Sequence, residues 1–166
     1  MKDIKEKYKE ILNLEGNDWL PQKDLLSFSK FLGIYYQNIS PYYGKFNYKK
    51  KSFKSFCLEH KITFKGKQNK KDPINHFWFN SKTPKVFKYN DYAFNFFKHI
   101  RNSFCHRLIK IQYETRKKEK YYIFRDIDTD GVTLTMGGKI REDLFWELLW
   151  KLYMTKDKDV EIDNKR

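Results

Sequence analysis

Alanine occurs once in this chain, at Ala93, and cysteine twice, at Cys57 and Cys105. Two thiols in 166 residues are too few for a disulfide framework, so reduced cysteines are expected. No stretch approaches the roughly 18 consecutive apolar residues of a membrane span. The opening Met1-Lys2-Asp3-Ile4-Lys5-Glu6 also lacks the apolar segment of a secretory signal. The expectation is a cytoplasmic protein with no membrane partner. A Gly-rich phosphate loop and a Gly-x-Ser-x-Gly turn are both missing, which removes two common phosphate-binding and hydrolase sites from consideration. No internal repeat is found.

Basic and aromatic residues are abundant instead. The formal charge is +14 and the pI about 9.6, so the chain should attract a polyanion, and nucleic acid is the obvious one. The cations are nearly all Lys, and with the wealth of Asn, Ile, Phe and Tyr this is also what an AT-rich coding bias yields. Charge therefore does not separate a nuclease from a binding module. With 40% hydrophobic residues and 19% aromatics there is enough for one core, and a single domain over 1–166 is expected.

Along the chain, Ile4, Tyr8, Ile11 and Leu12 have helical spacing over 3–13, and a second helix is expected from Pro21 through Tyr35. Together these make an N-terminal helical portion over 1–40. Residues 41–89 read as a basic, irregular segment punctuated by Pro41, Gly44, Pro73 and Pro84, with a short helix near 51–60 and another option at 73–79. Asn90 and Asp91 suit the start of a helix running to about Arg107. A hairpin with strands over 108–114 and 121–126, extended by a short third strand over 132–136, completes a β unit over 108–136. Gly137-Gly138 then interrupts the chain before a last helix over 139–155.

On a wheel of about 100° per residue, Ala93, Phe96, Phe97, Ile100 and Phe104 form a core stripe on the 90–107 helix. Lys98, Arg101, Asn102, Cys105 and His106 gather on the other side with Phe94 and Asn95. Asn102 and His106, four apart, stand one above the other, so the amide can orient the imidazole. Arg101 and His106 are about 140° apart and diverge on a regular helix. They come together if the Arg side chain swings round, if the helix end unwinds, or if two copies meet about a two-fold axis, which would also bury Phe94 and Cys105.

The string His99-Ile100-Arg101-Asn102-Ser103-Phe104-Cys105-His106, late in a long helix and followed by the hairpin Tyr121-Tyr122-Ile123-Phe124-Arg125-Asp126, resembles the HEPN domains (higher eukaryotes and prokaryotes nucleotide-binding). The resemblance covers about 90–155. It implies a mainly α fold, an up-and-down helical bundle with a small β-hairpin inserted before the last helix. It also implies metal-independent cleavage of RNA at a homodimer interface by Arg101 and His106, with Asn102 holding the ring or contacting the backbone. Such a protein works as a toxin or antiviral effector, often with an antitoxin or regulatory partner. The chemistry agrees: a His with an ordinary pKa of about 6.5 can exchange a 2′-hydroxyl proton, and an Arg stays charged beside a phosphorane-like transition state. Attack by the 2′-oxygen leaves a 2′,3′-cyclic phosphate and spares DNA. Lys98 and Arg107 are expected to bind flanking phosphates, and no cofactor is expected.

Other readings explain parts of the same residues. A solvated Arg and a helix-terminal His require no function, and the whole domain could bind nucleic acid or a partner without catalysis. Asp126-Ile127-Asp128-Thr129-Asp130-Gly131 resembles the first half of a calcium loop, but its twelfth position is Gly137 and its flanks read as strands, so a strand end and turn is expected. The spacings of Cys57, His60, His76, His99, Cys105 and His106 fit no standard zinc pattern, and no metal is expected. Tyr42, Tyr43, Phe46 and Tyr48 among lysines could stack bases, though a core edge is the simpler account.

Overall fold

The computed structural model describes residues 20–42, 45–65, 73–80 and 92–156. The helix expected over 3–13, the Asn90-Asp91 start and the charged tail lie outside these residues.

Helix α1, Gln22–Ile34, begins behind Pro21, whose carbonyl accepts the first helical bond from Leu25 N at 2.9 Å. It buries Asp24, Phe28 and Phe31 on one stripe, then continues as a π-helical turn over Tyr35–Ile39 and a 3-10 turn over Ser40–Tyr42. Helix α2, Lys51–Glu59, buries Phe53 and Phe56. Helix α3 is Tyr92–Cys105 and helix α4 is Glu142–Tyr153. Strands β1 (Thr63–Lys65) and β2 (His76–Phe79) lie between α2 and α3, and β3 (Ile109–Glu114), β4 (Glu119–Ile127) and β5 (Leu134–Arg141) between α3 and α4. They form one sheet in the order β1-β2-β5-β4-β3, parallel between β1 and β2 and antiparallel elsewhere.

This is a mixed sheet with the described helices on one face, and it corrects the expected mainly α bundle. Two features of the sequence concealed it. Strands of three and four residues, β1 and β2, are too short to show a period of two, so 41–89 looked irregular and 73–79 offered a helix. Gly137-Gly138, which looked like an interruption, instead lies inside β5, the strand that joins β2 to the hairpin. An ideal Cβ on Gly138 would sit 2.2 Å from Phe77 Cδ1, and one on Gly137 would sit 2.3 Å from Trp78 Cζ2. The two aromatics of β2 thus lie flat across β5, Phe77 on the helix-covered face and Trp78 on the other. Only glycine leaves room for both.

Period-two alternation turns Tyr122, Phe124, Met136 and Ile140 toward the helices, all essentially inaccessible. Phe28 ties the layers together: its ring lies 5.3 Å from Tyr122, 5.4 Å from Phe104, 5.7 Å from Phe145 and 4.9 Å from Trp146. Phe46 is also core, its ring 5.3 Å from Phe97. Buried Asp24 accepts from Tyr122 Oη at 2.5 Å and pairs with Lys120, whose Nζ is also 3.3 Å from Glu142. That cluster pins the start of α1 to β4. Burial, aided by the bond to Asp24, pushes the Tyr122 phenol far up from its ordinary value. As expected, Asp126–Gly131 is a strand end and turn, with Asp130 Oδ1 accepting Val132 N at 2.9 Å and Thr133 N at 2.8 Å.

Candidate active site

The string singled out in the sequence occupies the last turn of α3 and the residues that end it. Helix termination here follows a Schellman pattern: Leu108 N bonds Ser103 O at 2.7 Å and Arg107 N bonds Phe104 O at 3.0 Å. His106 is the C-cap, and Arg107, at φ +58°, occupies the left-handed position where glycine is usual. An Arg held there costs about 1 kcal/mol. Both side chains are exposed, as is Cys105, and Leu108 leads directly into β3.

One turn earlier the same helix is anchored to the sheet through a polar network that the sequence reading missed. Asp126, facing inward from β4, is 1% exposed. Its Oδ2 accepts from His99 Nδ1 at 2.6 Å and from Asn102 Nδ2 at 3.1 Å, while Oδ1 accepts Ile127 N at 2.9 Å. Since Asp126 is the acceptor, the His99 proton must lie on Nδ1. His99 is buried, its ring 5.5 Å from Phe79, and its Nε2 has no hydrogen-bond partner among the described residues. Two signals could have revealed this. Tyr122, Phe124 and Asp126 alternate on one strand face, so an inward acid needed a donor, and His99 and Asn102 are three apart on one helix face.

Arg101 points elsewhere. Its guanidinium lies 5.4 Å from the centre of the Tyr35 ring, at the head of the π-helical turn. Burial raises the Tyr35 pKa, against the lowering pull of Arg101. Arg101 is half-buried, with Nε lacking a partner among the described residues. Lys98 is half-buried on the preceding turn. Asn95, placed by the wheel on the open side, is buried.

The three expected catalytic side chains therefore diverge within one chain. Arg101 is directed to the π-helical turn, Asn102 to Asp126 and His106 to solvent. The amide of Asn102, expected to orient His106, orients against β4 instead; what joins Asn102 to His106 is the backbone bond from His106 N to Asn102 O at 2.9 Å.

No helix among the described residues is long and apolar enough to cross a membrane. Comparison of the chain with protein-family models, with curated proteins and with solved structures finds no significant match.

Proposed function

We propose that this protein is a metal-independent endoribonuclease in which two copies pool their α3 ends, so that Arg101 of one copy acts with His106 of the other. The observation that carries the reading is the placement of His106. It stands exposed on the C-cap of a helix whose preceding turn is fastened by the His99–Asp126–Asn102 network. With the bundle gone, the relation to HEPN nucleases rests on the Arg101-Asn102 to His106 string, and a role as a toxin or antiviral effector under a partner's control rests on the same string. The charge of +14 suits an RNA substrate.

In this scheme one His106 takes the 2′-hydroxyl proton as the 2′-oxygen bonds to phosphorus. The bond to the 5′-oxygen breaks, and that oxygen receives a proton from water. Arg101 neutralises charge building on the non-bridging oxygens. Asn102 acts as a positioning residue, tying the catalytic turn to β4. Lys98 and Arg107 hold neighbouring phosphates.

The test is cleavage of labelled RNA in EDTA by the parent, Arg101→Ala and His106→Ala proteins. Cleavage by the parent alone, ending in a cyclic phosphate, is expected; equal activity or equal inactivity in all three defeats the proposal. Mixing the two variants should restore about a quarter of parental activity if each site takes Arg from one copy and His from the other, because half the dimers then carry one intact site. A second reading, a non-catalytic domain that binds nucleic acid or a partner, is favoured by the engagement of Arg101 with Tyr35. It requires salt-sensitive RNA binding with the RNA left whole.

A further inference from the structure

The sheet face away from the described helices carries a pattern of its own. Cross-strand register puts Lys110, Ile123, Lys139 and His76 in one row across β3, β4, β5 and β2. The next row holds Arg125, Gly137 and Trp78, and the row on the other side Gln112, Tyr121 and Arg141. The Lys139 ammonium lies 5.0 Å from the Tyr121 ring and the Arg125 guanidinium 5.9 Å from the Trp78 ring. These rings are 3% and 1% exposed, so they are a floor under the cations and not surfaces on which bases stack. Lys110 is exposed, and Lys139 and Arg125 half-buried.

Acidic residues share this face within the strands only at its far end, where Glu114 pairs with Glu119 and Glu119 lies 3.6 Å from Arg141. The face is thus graded, and its basic end adjoins the catalytic turn. Arg125 N bonds Leu108 O at 3.0 Å, and Leu108 is two residues beyond His106. Successive cation rows are about 6.6 Å apart along a strand, and Lys110 and Lys139, two strands apart, are separated by roughly 10 Å. Lys110 follows His106 by four residues, so their Cα atoms are at most about 14 Å apart, a span of a few nucleotides.

We propose that this outer sheet face, through Lys110, Lys139 and Arg125, binds the phosphates of single-stranded RNA and leads the strand to His106. The proposal deepens the ribonuclease reading and rests on it for the identity of the ligand.

The experiment measures binding of a labelled oligouridine across a salt series, with every protein carrying His106→Ala so that no strand is cut. Lys110→Gln with Lys139→Gln is compared with Lys23→Gln with Lys54→Gln, which makes the same charge change at exposed positions of α1 and α2. Two lost phosphate contacts should lower the slope of log affinity against log salt by about 1.4 and weaken binding at physiological salt on the order of tenfold. The helix pair should change binding less than about twofold. Lys110→Gln alone, on an edge strand, should give half the slope change without disturbing the packing of Lys139 on Tyr121. Equal losses from the sheet and helix pairs overturn the proposal, as does binding to phosphatidylserine vesicles with none to the oligouridine. Cleavage by proteins that keep His106 is scored separately. A parent that never cuts, with binding lost only in the sheet pair, ends the nuclease reading and keeps the face. A parent that cuts, with Kd and KM unchanged in the sheet pair, does the reverse.

Discussion

Replacing Asp126 by Asn changes one atom in a buried site where every surrounding group is a donor. Oδ2 meets His99 Nδ1 and Asn102 Nδ2, and Oδ1 meets the Ile127 amide. An amide nitrogen at the Oδ1 position would face the backbone N–H of Ile127, which has no means of becoming an acceptor. At the Oδ2 position it would face two donors, each able to adapt: His99 by moving its proton to Nε2, Asn102 by turning its amide. Bonds to a charged group contribute about 1.5–3 kcal/mol each. With one of the two recovered by such rearrangement, Asp126→Asn should lower stability by roughly 2–3 kcal/mol. Urea unfolding at unchanged m-value reads this directly. Combining Asp126→Asn with Asn102→Leu should reveal a coupling of about 0.5 kcal/mol or more, as contacting residues do. A loss under about 0.5 kcal/mol, within the range of an ordinary surface substitution, together with additive effects in the cycle, would refute the network.

Three further outcomes follow from the geometry. Arg107→Gly should raise stability by about 0.5–1 kcal/mol by relieving a left-handed backbone while weakening RNA binding, and a loss of stability in urea would contradict the Schellman ending. Gly138→Ala should cost about 3 kcal/mol, the upper part of the overpacking range, because its Cβ meets the wholly buried Phe77 ring; Gly33→Ala, with nothing within 4 Å, should gain nearly 1 kcal/mol in the same assay. The Tyr121 phenol, held up to about 12 chiefly by its 2.5 Å bond to Glu119 and then by burial, should ionise later than free tyrosine. Its folded value lies above the unfolded one near 10, so its contribution to stability is whole below that value and is lost as pH rises through about 12. A difference titration of phenolate absorbance between the parent and Tyr121→Phe checks this, and a missing group that titrates near 10 would count against it.

The elements legible in the sequence were those with enough residues to repeat a period. Helix α2 and the β3–β4 hairpin lie within a residue or two of their expected bounds, and the core stripe of Phe96, Phe97, Ile100 and Phe104 is buried. Short strands carried no such signal, and the last helix starts at Glu142 because residues 139–141 still pair in β5. For the site, position was legible and direction was not. His106 is exposed at the helix end, but where Arg101 and Asn102 point depends on partners remote in the chain, Tyr35 and Asp126. Helical spacing describes neighbours along one element and says nothing of what packs against it.

The adjacent glycines of β5 also act as a lock against misalignment. If β2 slid by two residues along β5, preserving which side each ring faces, Phe77 would land on Met136 or Ile140 and Trp78 on Thr135 or Lys139. A slide of one residue would send both rings to the wrong side of the sheet. Among these nearby alignments only the observed one sets two neighbouring aromatics on two neighbouring glycines, so a pair of residues with no side chains discriminates against mispairing where a three- or four-residue strand has little other means to do so.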